Sequence, residues 1–445
     1  MTGTDLTGNP ASAASAASAA SAEAISDQLA ASGGRTSAAV LKSYNEHLMR
    51  TFGPPKRVFV RGEGCYVWDA DGRRHLDLLS GLAVNALGHA HPTVLSAITG
   101  QIATLGHVSN FFATPSQVAL AERLTRLVLG PAPKDPEVAE GPQTQPPTSS
   151  ARVFFANSGT EANEAAFKIT RLTGKTKIVS TEGAFHGRSL GSLALTANEK
   201  YRKPFEPLPG DVEFVPYGDV AALEAAVDDR TAAVVLEPIQ GENGVVEPPD
   251  GYLRAARRIT SAAGTLLWVD EIQTGMGRTG YWLESQRSGV VGDIITVAKG
   301  LGNGFPIGAC IATGSAAELL GPGSHGSTFG GNPVACIAGL AVISVIERDN
   351  LLANATDRGA GLANAIEALE HPLIDHVRGR GLLRGVVLKA DRAQQVTDAA
   401  LAGGFIINAP RPNVLRIAPP LIITSDQINS FVEALPGFLD QGVAG

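Results

Sequence analysis

The stretch DIITVAKG at residues 293–300 decides the fold prediction, because an apolar strand there ends in a lysine, Lys299. The stretch TLLWVDEIQ at residues 265–273 has the same form, since its apolar run ends in Asp270. Continuous apolar strands are typical of parallel sheets that are covered on both faces. Ligands of such sheets bind beyond the carboxyl ends of the strands, so an acid and an amine are predicted at one sheet edge.

Further short apolar runs alternate with segments of helical length along the middle of the chain. We predict strands at residues 153–156, 178–179, 213–215, 232–236, 265–269, 294–298 and 307–312. This alternation predicts an α/β fold with a mostly parallel sheet that is covered by helices. Asn157 and Glu237 follow two of these strands, so both are predicted at the same edge as Asp270 and Lys299.

An acid and an amine at one sheet edge are what the cofactor pyridoxal phosphate requires. The lysine amine forms a Schiff base with the cofactor aldehyde. The acid keeps the pyridine nitrogen protonated, so that the ring withdraws electrons. We therefore predict that Lys299 is the catalytic lysine and that Asp270 pairs with the pyridine nitrogen.

A turn of small residues, NSGTEANEA at residues 157–165, follows the predicted strand 153–156 and opens a helix. Small residues leave backbone N–H groups free to face an anion, and the helix dipole adds to the attraction. We predict that this turn binds the cofactor phosphate. Asn and Ser also cap ordinary helices, so the turn by itself does not identify the ligand.

The chain of 445 residues is long enough for more than one domain. An Asp71-Gly72 turn predicts a hairpin at residues 66–74. We predict a disordered Ala/Ser-rich tail, an N-terminal segment that joins the small domain, a large cofactor-binding domain with an exposed proline-rich loop, and a C-terminal small α+β domain. The corresponding residues are 1–36, 37–92, 93–333 with the loop at 131–150, and 334–445.

Composition argues against several classes of protein. Charged residues make up 18% of the chain and the net charge is −7, which offers no electrostatic footprint for nucleic acid or an anionic membrane. The N-terminus has no secretory signal pattern, and no apolar run reaches membrane-spanning length. Cys65, Cys310 and Cys336 lie far apart without metal-ligand spacing, so we expect no metal site and a cytoplasmic location.

Several motifs occur in the order found in class III aminotransferases, which this chain resembles from about residue 44 to its C-terminus. Besides residues 157–165, the motifs are AFHGR at 184–188, LEPIQGE at 236–242, VDEIQTGMGR at 269–278, AKGLG at 298–302 and HGSTFGGNP at 325–333. Within the class, the chain is most similar to the acetylornithine aminotransferases of arginine biosynthesis. The resemblance implies a pyridoxal-phosphate type I fold and a homodimer that shares its active sites.

The resemblance also implies roles for single residues. Lys299 would move the proton between substrate and cofactor, Gln273 would reach the ring hydroxyl, and Phe185 would stack on the ring. His186 is interpreted as structural. The implied phosphate ligands are Ser158, Gly159, Thr160 and Thr328, the last from the neighbouring subunit. Thr160 departs from many relatives, which carry Ala, and phosphate binding is expected to persist.

A transaminase must accept two different molecules in one site. By resemblance, Arg188 binds a distal carboxylate common to both substrates, and Arg416 binds the carboxylate that only glutamate carries beside its reacting amine. Glu242 would pair with Arg416 until glutamate arrives, because a guanidinium binds carboxylates through its planar fork. By resemblance, ornithine aminotransferases carry Tyr at the position of Gly81. The missing side chain would leave room for an acyl group on the α-nitrogen of the donor.

The resemblance therefore implies transfer of the δ-amino group of N2-acetyl-L-ornithine to 2-oxoglutarate, giving N-acetyl-L-glutamate 5-semialdehyde and L-glutamate. Other class III donors remain as alternatives, namely succinyl-diaminopimelate, ornithine and 4-aminobutyrate. An aminomutase on the same fold is a further alternative, although the Arg416 and Glu242 pair argues against it. A non-catalytic cofactor-binding protein is disfavoured by Lys299, Asp270 and both arginines.

Overall fold

A computed structural model describes residues 36–130 and 150–443. Almost all of the predicted tail 1–36 and loop 131–150 lies outside the described residues. The chain divides into two compact units. Among the described residues, the first comprises 36–62 together with Val67–His75, and the second comprises Glu63–Tyr66 together with 76–130 and 150–443.

The first unit contains the helix Ser37–His47, which begins where the Thr36 side chain accepts a hydrogen bond from the Ala39 amide. It also contains the predicted Asp71-Gly72 turn, where Gly72 has a φ of +79° that suits glycine. The strands near this turn are β1 (Phe59–Glu63), β2 (Tyr66–Asp69) and β3 (Arg74–Asp77). The predicted hairpin is therefore present.

The central element of the second unit is a sheet of seven strands within the described residues, in the order β4-β10-β9-β8-β7-β5-β6. Its strands are β4 (Ala151–Ala156), β5 (Lys177–Thr181), β6 (Asp211–Val215), β7 (Thr231–Leu236), β8 (Leu266–Asp270), β9 (Ile294–Val297) and β10 (Gly308–Thr313). Neighbours from β9 through β6 pair in parallel, whereas β10 is antiparallel to both β9 and β4. The prediction of a mostly parallel sheet is confirmed.

Burial explains why these runs form strands. Every residue of β7 and β9 is buried, as expected for strands covered on both faces. The helix Gly159–Arg171 covers part of the sheet through Ala162, Ala165 and Ala166, none of which retains exposed surface. Such small side chains let the helix lie close to the strands, which fixes the position of its first turn at the carboxyl edge.

The described part of the chain contains helices in both compact units. Their bounds are Ser37–His47, Ser80–Ala83, Pro92–Thr104, Pro115–Leu129, Gly159–Arg171, Leu190–Ala194, Glu199–Arg202, Val220–Ala226, Tyr252–Ala262, Pro333–Arg348, Leu351–Glu367, Ala393–Ala402 and Ser425–Val443. Short 3₁₀ turns occupy Lys203–Phe205, Glu284–Ser288, Lys299–Leu301 and Gly314–Glu318. Within the described ranges, no helix has the length and apolar character needed to cross a membrane.

The C-terminal part of the second unit contains a smaller antiparallel sheet in the order β11-β12-β15-β14. Its strands are β11 (Ile374–Arg380), β12 (Leu383–Leu388), β14 (Asn408–Arg411) and β15 (Val414–Ile417), and the short β13 (Phe405–Ile406) instead pairs with Leu76 and Asp77. An apolar core that includes Leu362, Val386, Leu415 and Phe431 lies beneath it. The predicted smaller α+β part is confirmed, and β15 carries Arg416.

Candidate active site

A pocket of about 360 Å³ lies at the carboxyl edge of the large sheet. Asn157, Glu237, Asp270 and Lys299 all line it, and each follows or ends a different strand of the sheet. The structure therefore brings together in one cavity the four polar residues that the strand pattern had placed at one edge.

Asp270 ends β8 and has only 3% of its surface exposed. Its Oδ2 accepts hydrogen bonds from Asn163 Nδ2 at 2.9 Å and from His186 Nδ1 at 2.7 Å, and its Oδ1 accepts one from the Ile272 amide at 3.0 Å. Burial lowers the pKa of His186, but the hydrogen bond and charge of Asp270 outweigh it and raise that pKa overall. The pair favours a charged imidazolium beside a carboxylate.

Lys299 follows β9 with a φ of +44°, a left-handed conformation that costs a non-glycine residue energy. Burial lowers the pKa of its amine, and the charge of Arg416 acts in the same direction. The carboxylates of Glu242, Asp270 and Glu237 oppose that shift. The net shift favours the neutral amine, which is the nucleophilic form.

Glu237 is a second buried carboxyl group in the pocket. Burial raises its pKa to about 7, and the nearby Asp270 acts in the same direction while His186 opposes it. Its Oε1 accepts a hydrogen bond from the Phe185 amide at 3.0 Å, which fixes the aromatic residue of the AFHGR motif. Phe185 lines the same pocket.

The turn after β4 presents to the pocket backbone donors that have no hydrogen-bond partner within the described residues. Ser158 caps the helix Gly159–Arg171 by accepting from the Glu161 amide at 3.3 Å. The first intrahelical bond is made by the Ala162 amide, so the amides of Gly159 and Thr160 precede it. A Cβ at Gly159 would lie 2.8 Å from Ile272 Cδ1, so only glycine fits there without a shift.

The Thr160 hydroxyl contacts the neighbouring loop. Thr160 Oγ1 lies 2.6 Å from Ser189 Oγ, and it accepts hydrogen bonds from the amides of Arg188 at 3.3 Å and Ser189 at 3.2 Å. The guanidinium of Arg188 lies over the Tyr201 ring, 3.4 Å from its centroid. Arg188 is exposed and lines the pocket, so its free face can meet a ligand carboxylate.

Arg416 meets Glu242 within the described part of the chain. Arg416 Nη1 donates to Glu242 Oε1 at 2.5 Å and to Gln273 Oε1 at 3.1 Å, and Arg416 Nε donates to Asn408 Oδ1 at 3.0 Å. The Arg416 side chain is 1% exposed, whereas that of Glu242 is 35% exposed. Among the described residues, buried Arg416 Nη2 has no hydrogen-bond partner, which leaves one donor atom for a carboxylate. Burial acts to raise the pKa of Glu242, but the charges of Arg416 and Lys299 lower it overall.

Four of the predicted site residues, Gly81, Glu242, Thr328 and Arg416, are not among those that line this pocket. Thr328 is exposed in the loop before the helix Pro333–Arg348. Gly81 is exposed as well, with a φ of +64°, and a Cβ there would meet Asn85 Nδ2 no closer than 3.4 Å. Gln273 lines the pocket, but its Oε1 accepts a hydrogen bond from Arg416.

Sequence reasoning missed some contributors to the site. Asn163 is inside the motif at residues 157–165, but nothing in the pattern indicated that its side chain reaches Asp270. Tyr201 and Asn408 have no sequence signal, because each meets its arginine only in the folded chain. His186 was interpreted as structural, and its position in AFHGR was the only available signal of its contact with Asp270.

Comparisons with known proteins agree with this geometry. The family model described as aminotransferase class-III matches residues 50–439. The chain belongs to the class-III aminotransferase family. It is 58% identical over 393 residues to the acetylornithine aminotransferase of Mycolicibacterium smegmatis, covering 88% of this chain and 96% of that protein. It is 54% identical over 395 residues to that of Streptomyces coelicolor, covering 88% and 94%.

Solved structures of class III aminotransferases share the fold. The ornithine aminotransferase of Toxoplasma gondii matches with a TM-score of 0.84 at 29% identity, covering 92% of this chain and 97% of that one. The N-acetylornithine aminotransferase of Stenotrophomonas maltophilia matches with a TM-score of 0.74 at 32% identity, covering 91% and 99%. The protein is thus a pyridoxal-phosphate-dependent aminotransferase.

The pocket residues of this aminotransferase fit pyridoxal phosphate. Lys299 offers a partly buried amine and Asp270 a buried carboxyl group, and among the described residues Gly159 and Thr160 offer amides without a hydrogen-bond partner at a helix start. The Gly159 cradle, which a Cβ would fill, suits close approach of a phosphate. When bound, the cofactor supplies an electron sink for the negative charge that develops on the substrate carbon.

Proposed function

We propose that this protein transfers the δ-amino group of N2-acetyl-L-ornithine to 2-oxoglutarate, in arginine biosynthesis. The observation that carries the two-substrate part of the proposal is the Arg416–Glu242 ion pair with its unpartnered Nη2. A buried arginine that an acid neutralises reversibly suits a site that must accept donors with and without an α-carboxylate. The acetylornithine donor is supported by the relatives at 58% and 54% identity.

In this proposal, the cofactor is held from several sides. Asp270, with His186 behind it, pairs with the pyridine nitrogen, and Phe185 stacks on the ring. The phosphate is bound by Ser158, Gly159 and Thr160, while Gln273 reaches the ring hydroxyl once it is released from Arg416. The Lys299 amine would hold the cofactor and, once the substrate amine has replaced it there, would carry the proton to and from the substrate carbon.

The substrates are distinguished by their carboxylates. Arg188 binds the carboxylate that acetylornithine and glutamate each hold far from the reacting amine, and its contact with Tyr201 restrains it. Arg416 binds the α-carboxylate of glutamate after Glu242 turns away. Because 35% of the Glu242 side chain is exposed, the side chain can rotate toward solvent. Gly81 leaves space for the acetyl group of the donor.

The active enzyme is proposed to be a cytoplasmic homodimer with shared active sites. Thr328 would complete the phosphate site of the partner subunit, which agrees with its exposure on this chain. Phe111, Phe112 and Phe329 are 91%, 65% and 61% exposed, and large exposed apolar side chains of this kind mark association surfaces.

The test is kcat/KM with 2-oxoglutarate for N-acetylornithine, ornithine, N-succinyl-diaminopimelate and 4-aminobutyrate, on enzyme loaded with pyridoxal phosphate. We expect N-acetylornithine to exceed free ornithine by at least about tenfold, which is about 1.4 kcal/mol in the transition state. The Lys299→Ala enzyme is the control for background turnover. A preference for another donor would overturn the substrate assignment while leaving the aminotransferase chemistry in place.

A further inference from the structure

The loop that carries Glu242 is held at its base by the large sheet. Gln240 and Val246 exchange backbone hydrogen bonds of 2.9 and 3.0 Å, which close the loop. The buried side chain of Gln240 donates to Thr181 Oγ1 at 3.0 Å and to the Glu182 carbonyl at 2.8 Å. The base therefore cannot shift without breaking these contacts, of which the Gln240–Thr181 hydrogen bond is buried.

The tip of the same loop is held by the smaller sheet. Arg378, on β11, donates from both Nε and Nη2 to the carbonyl of Gly244, at 3.0 and 2.7 Å. Arg411, on β14, donates to Asn243 Oδ1. Two arginines of the small sheet thus hold the residues that directly follow Glu242.

The backbone at the tip needs such a restraint. Val245 is fully buried and has a φ of +58°, a conformation that is unfavourable for a β-branched residue. Strained residues of this kind persist only where the surrounding contacts determine their conformation. Two charge-assisted hydrogen bonds from Arg378 to the preceding carbonyl are contacts of that kind.

We propose that Arg378 is a positioning residue, which holds the 240–246 loop so that Glu242 stays paired with Arg416 in the absence of an α-carboxylate. Arg378 then determines how strongly the site discriminates between ligands with and without that group. The inference rests on the proposed function, in which Glu242 and Arg416 form the switch. With the loop fixed at both ends, Glu242 leaves Arg416 by rotation of its side chain rather than by movement of the loop.

The experiment measures equilibrium binding, so it does not depend on turnover. Glutarate and pentanoate have the same chain length, but only glutarate has a second carboxylate that competes with Glu242 for Arg416. Their dissociation constants are measured by calorimetry on the holoenzyme for wild type, Arg378→Met, Glu242→Ala and the double variant. Arg384→Met is the matched control, because Arg384 on the neighbouring β12 donates to the carbonyls of Gly379 and Gly381 instead.

We expect Arg378→Met to raise the affinity for glutarate relative to pentanoate by about three- to tenfold, the usual effect of losing one or two hydrogen bonds. Glu242→Ala should raise the ratio of the glutarate affinity to the pentanoate affinity at least as much, and the double variant should raise it no further than Glu242→Ala does. Arg384→Met should leave this ratio within about twofold of the wild-type value. Arg378→Lys, which keeps the charge but not the fork, should fall between wild type and Arg378→Met, and it serves if the Met variant does not fold.

Each other outcome has a defined meaning. If Glu242→Ala raises the ratio and Arg378→Met does not, Arg378 does not position the gate and the proposed function stands. If the effects of Arg378→Met and Glu242→Ala on the affinity ratio multiply in the double variant, Arg378 acts independently of Glu242. This result also overturns the inference. An unchanged ratio in Glu242→Ala would remove the gate from the proposed function, and the positioning role with it.

Discussion

At the residue scale, the chemistry of the site depends on keeping Asp270 charged in a buried position. Isolation of a carboxylate from water normally favours its protonated form, which would not hold a pyridinium. Asp270 accepts three hydrogen bonds, one of them from His186. The raised pKa of His186 favours its imidazolium form, which places a positive charge beside the buried Asp270.

This ion pair predicts a defined dependence of stability on pH. Because the pKa of His186 is raised in the folded protein, the pair contributes fully below the pKa of free histidine, about 6.5. The contribution declines as pH rises through the raised pKa. We expect His186→Gln to lower the unfolding free energy by about 1–3 kcal/mol at pH 6, and by less at pH 9.

Denaturant unfolding of the wild type and the His186→Gln apoproteins at both pH values measures this difference. Comparison at the same pH cancels the groups whose pKa does not depend on His186. Glu237 is not one of them, because the charge of His186 lowers its pKa. A difference that is constant or grows toward pH 9 would show that the imidazole is neutral.

Lys299 leads to a second prediction at this scale. Since burial lowers the pKa of its amine from the value of 10.5, the nucleophilic form prevails at lower pH than in a free lysine. The rate of covalent uptake of pyridoxal phosphate by the apoprotein should therefore rise with pH to a plateau whose midpoint lies below 10.5. Stopped-flow absorbance measures this rate.

The Lys299→Arg variant is the control, because a guanidinium stays protonated throughout this range. It should bind the cofactor without the covalent link and lower kcat by at least about 100-fold. A midpoint at or above 10.5 in the wild type would mean that the surrounding carboxylates outweigh burial.

At the scale of elements, the phosphate turn depends on the strand beside it. β10 runs antiparallel to β4 and begins at Gly308, directly against the turn. A Cβ on Gly308 would lie 2.3 Å from the carbonyl oxygen of Ser158, and a backbone atom cannot move aside as a side-chain end can. The position of the phosphate donors is thus set by a strand far from them in sequence.

We therefore expect Gly308→Ala to shift the turn and to weaken the binding of pyridoxal phosphate by at least about tenfold, or 1.4 kcal/mol. Equilibrium dialysis of the apoprotein against the cofactor measures this. Gly361→Ala is the control, since Gly361 lies in the helix Leu351–Glu367 with nothing within 4 Å of an added Cβ. Its cofactor affinity should be unchanged, and equal affinities for both variants would contradict the prediction.

The elements also show what a sequence can and cannot predict. The strands β7, β8 and β9 were predictable, because burial on both faces selects unbroken apolar runs between helical segments. The site residues that follow them were predictable from topology alone. Contacts such as His186 with Asp270, separated by 84 residues, and Arg378 with Gly244, separated by 134, were not. These depend on packing between elements, which leaves no local pattern.

The C-terminal part was harder to predict. β11 and β14 contain polar, basic and small residues at partly exposed positions, so apolar and polar residues alternate only weakly along these strands. The helix Leu351–Glu367 begins directly after Asn350, which takes a φ of +50° and separates it from the preceding helix. The left-handed residue ends one helix and allows the next to begin.

At the scale of the whole molecule, the proposed dimer determines whether each active site is complete. Thr328 lies in an exposed loop beside Phe329, and neither lines the pocket of its own chain. In a symmetric dimer the same loop of the partner could reach the phosphate, since a two-fold axis places equivalent surfaces opposite each other. Shared sites make a prediction that a monomer cannot satisfy.

Two inactive variants should restore activity when they form mixed dimers. Lys299→Ala removes the proposed catalytic amine, and in the proposed dimer Thr328→Asp places a negative charge against the cofactor phosphate. A mixed dimer has one site with both changes and one site with neither. Random mixing makes about half of the dimers mixed, so about a quarter of all sites should be intact. Co-refolding or co-expression of the two variants, followed by activity per site, measures this. Activity no higher than that of Thr328→Asp alone would place Thr328 outside the partner's site, and would leave each pocket to its own chain.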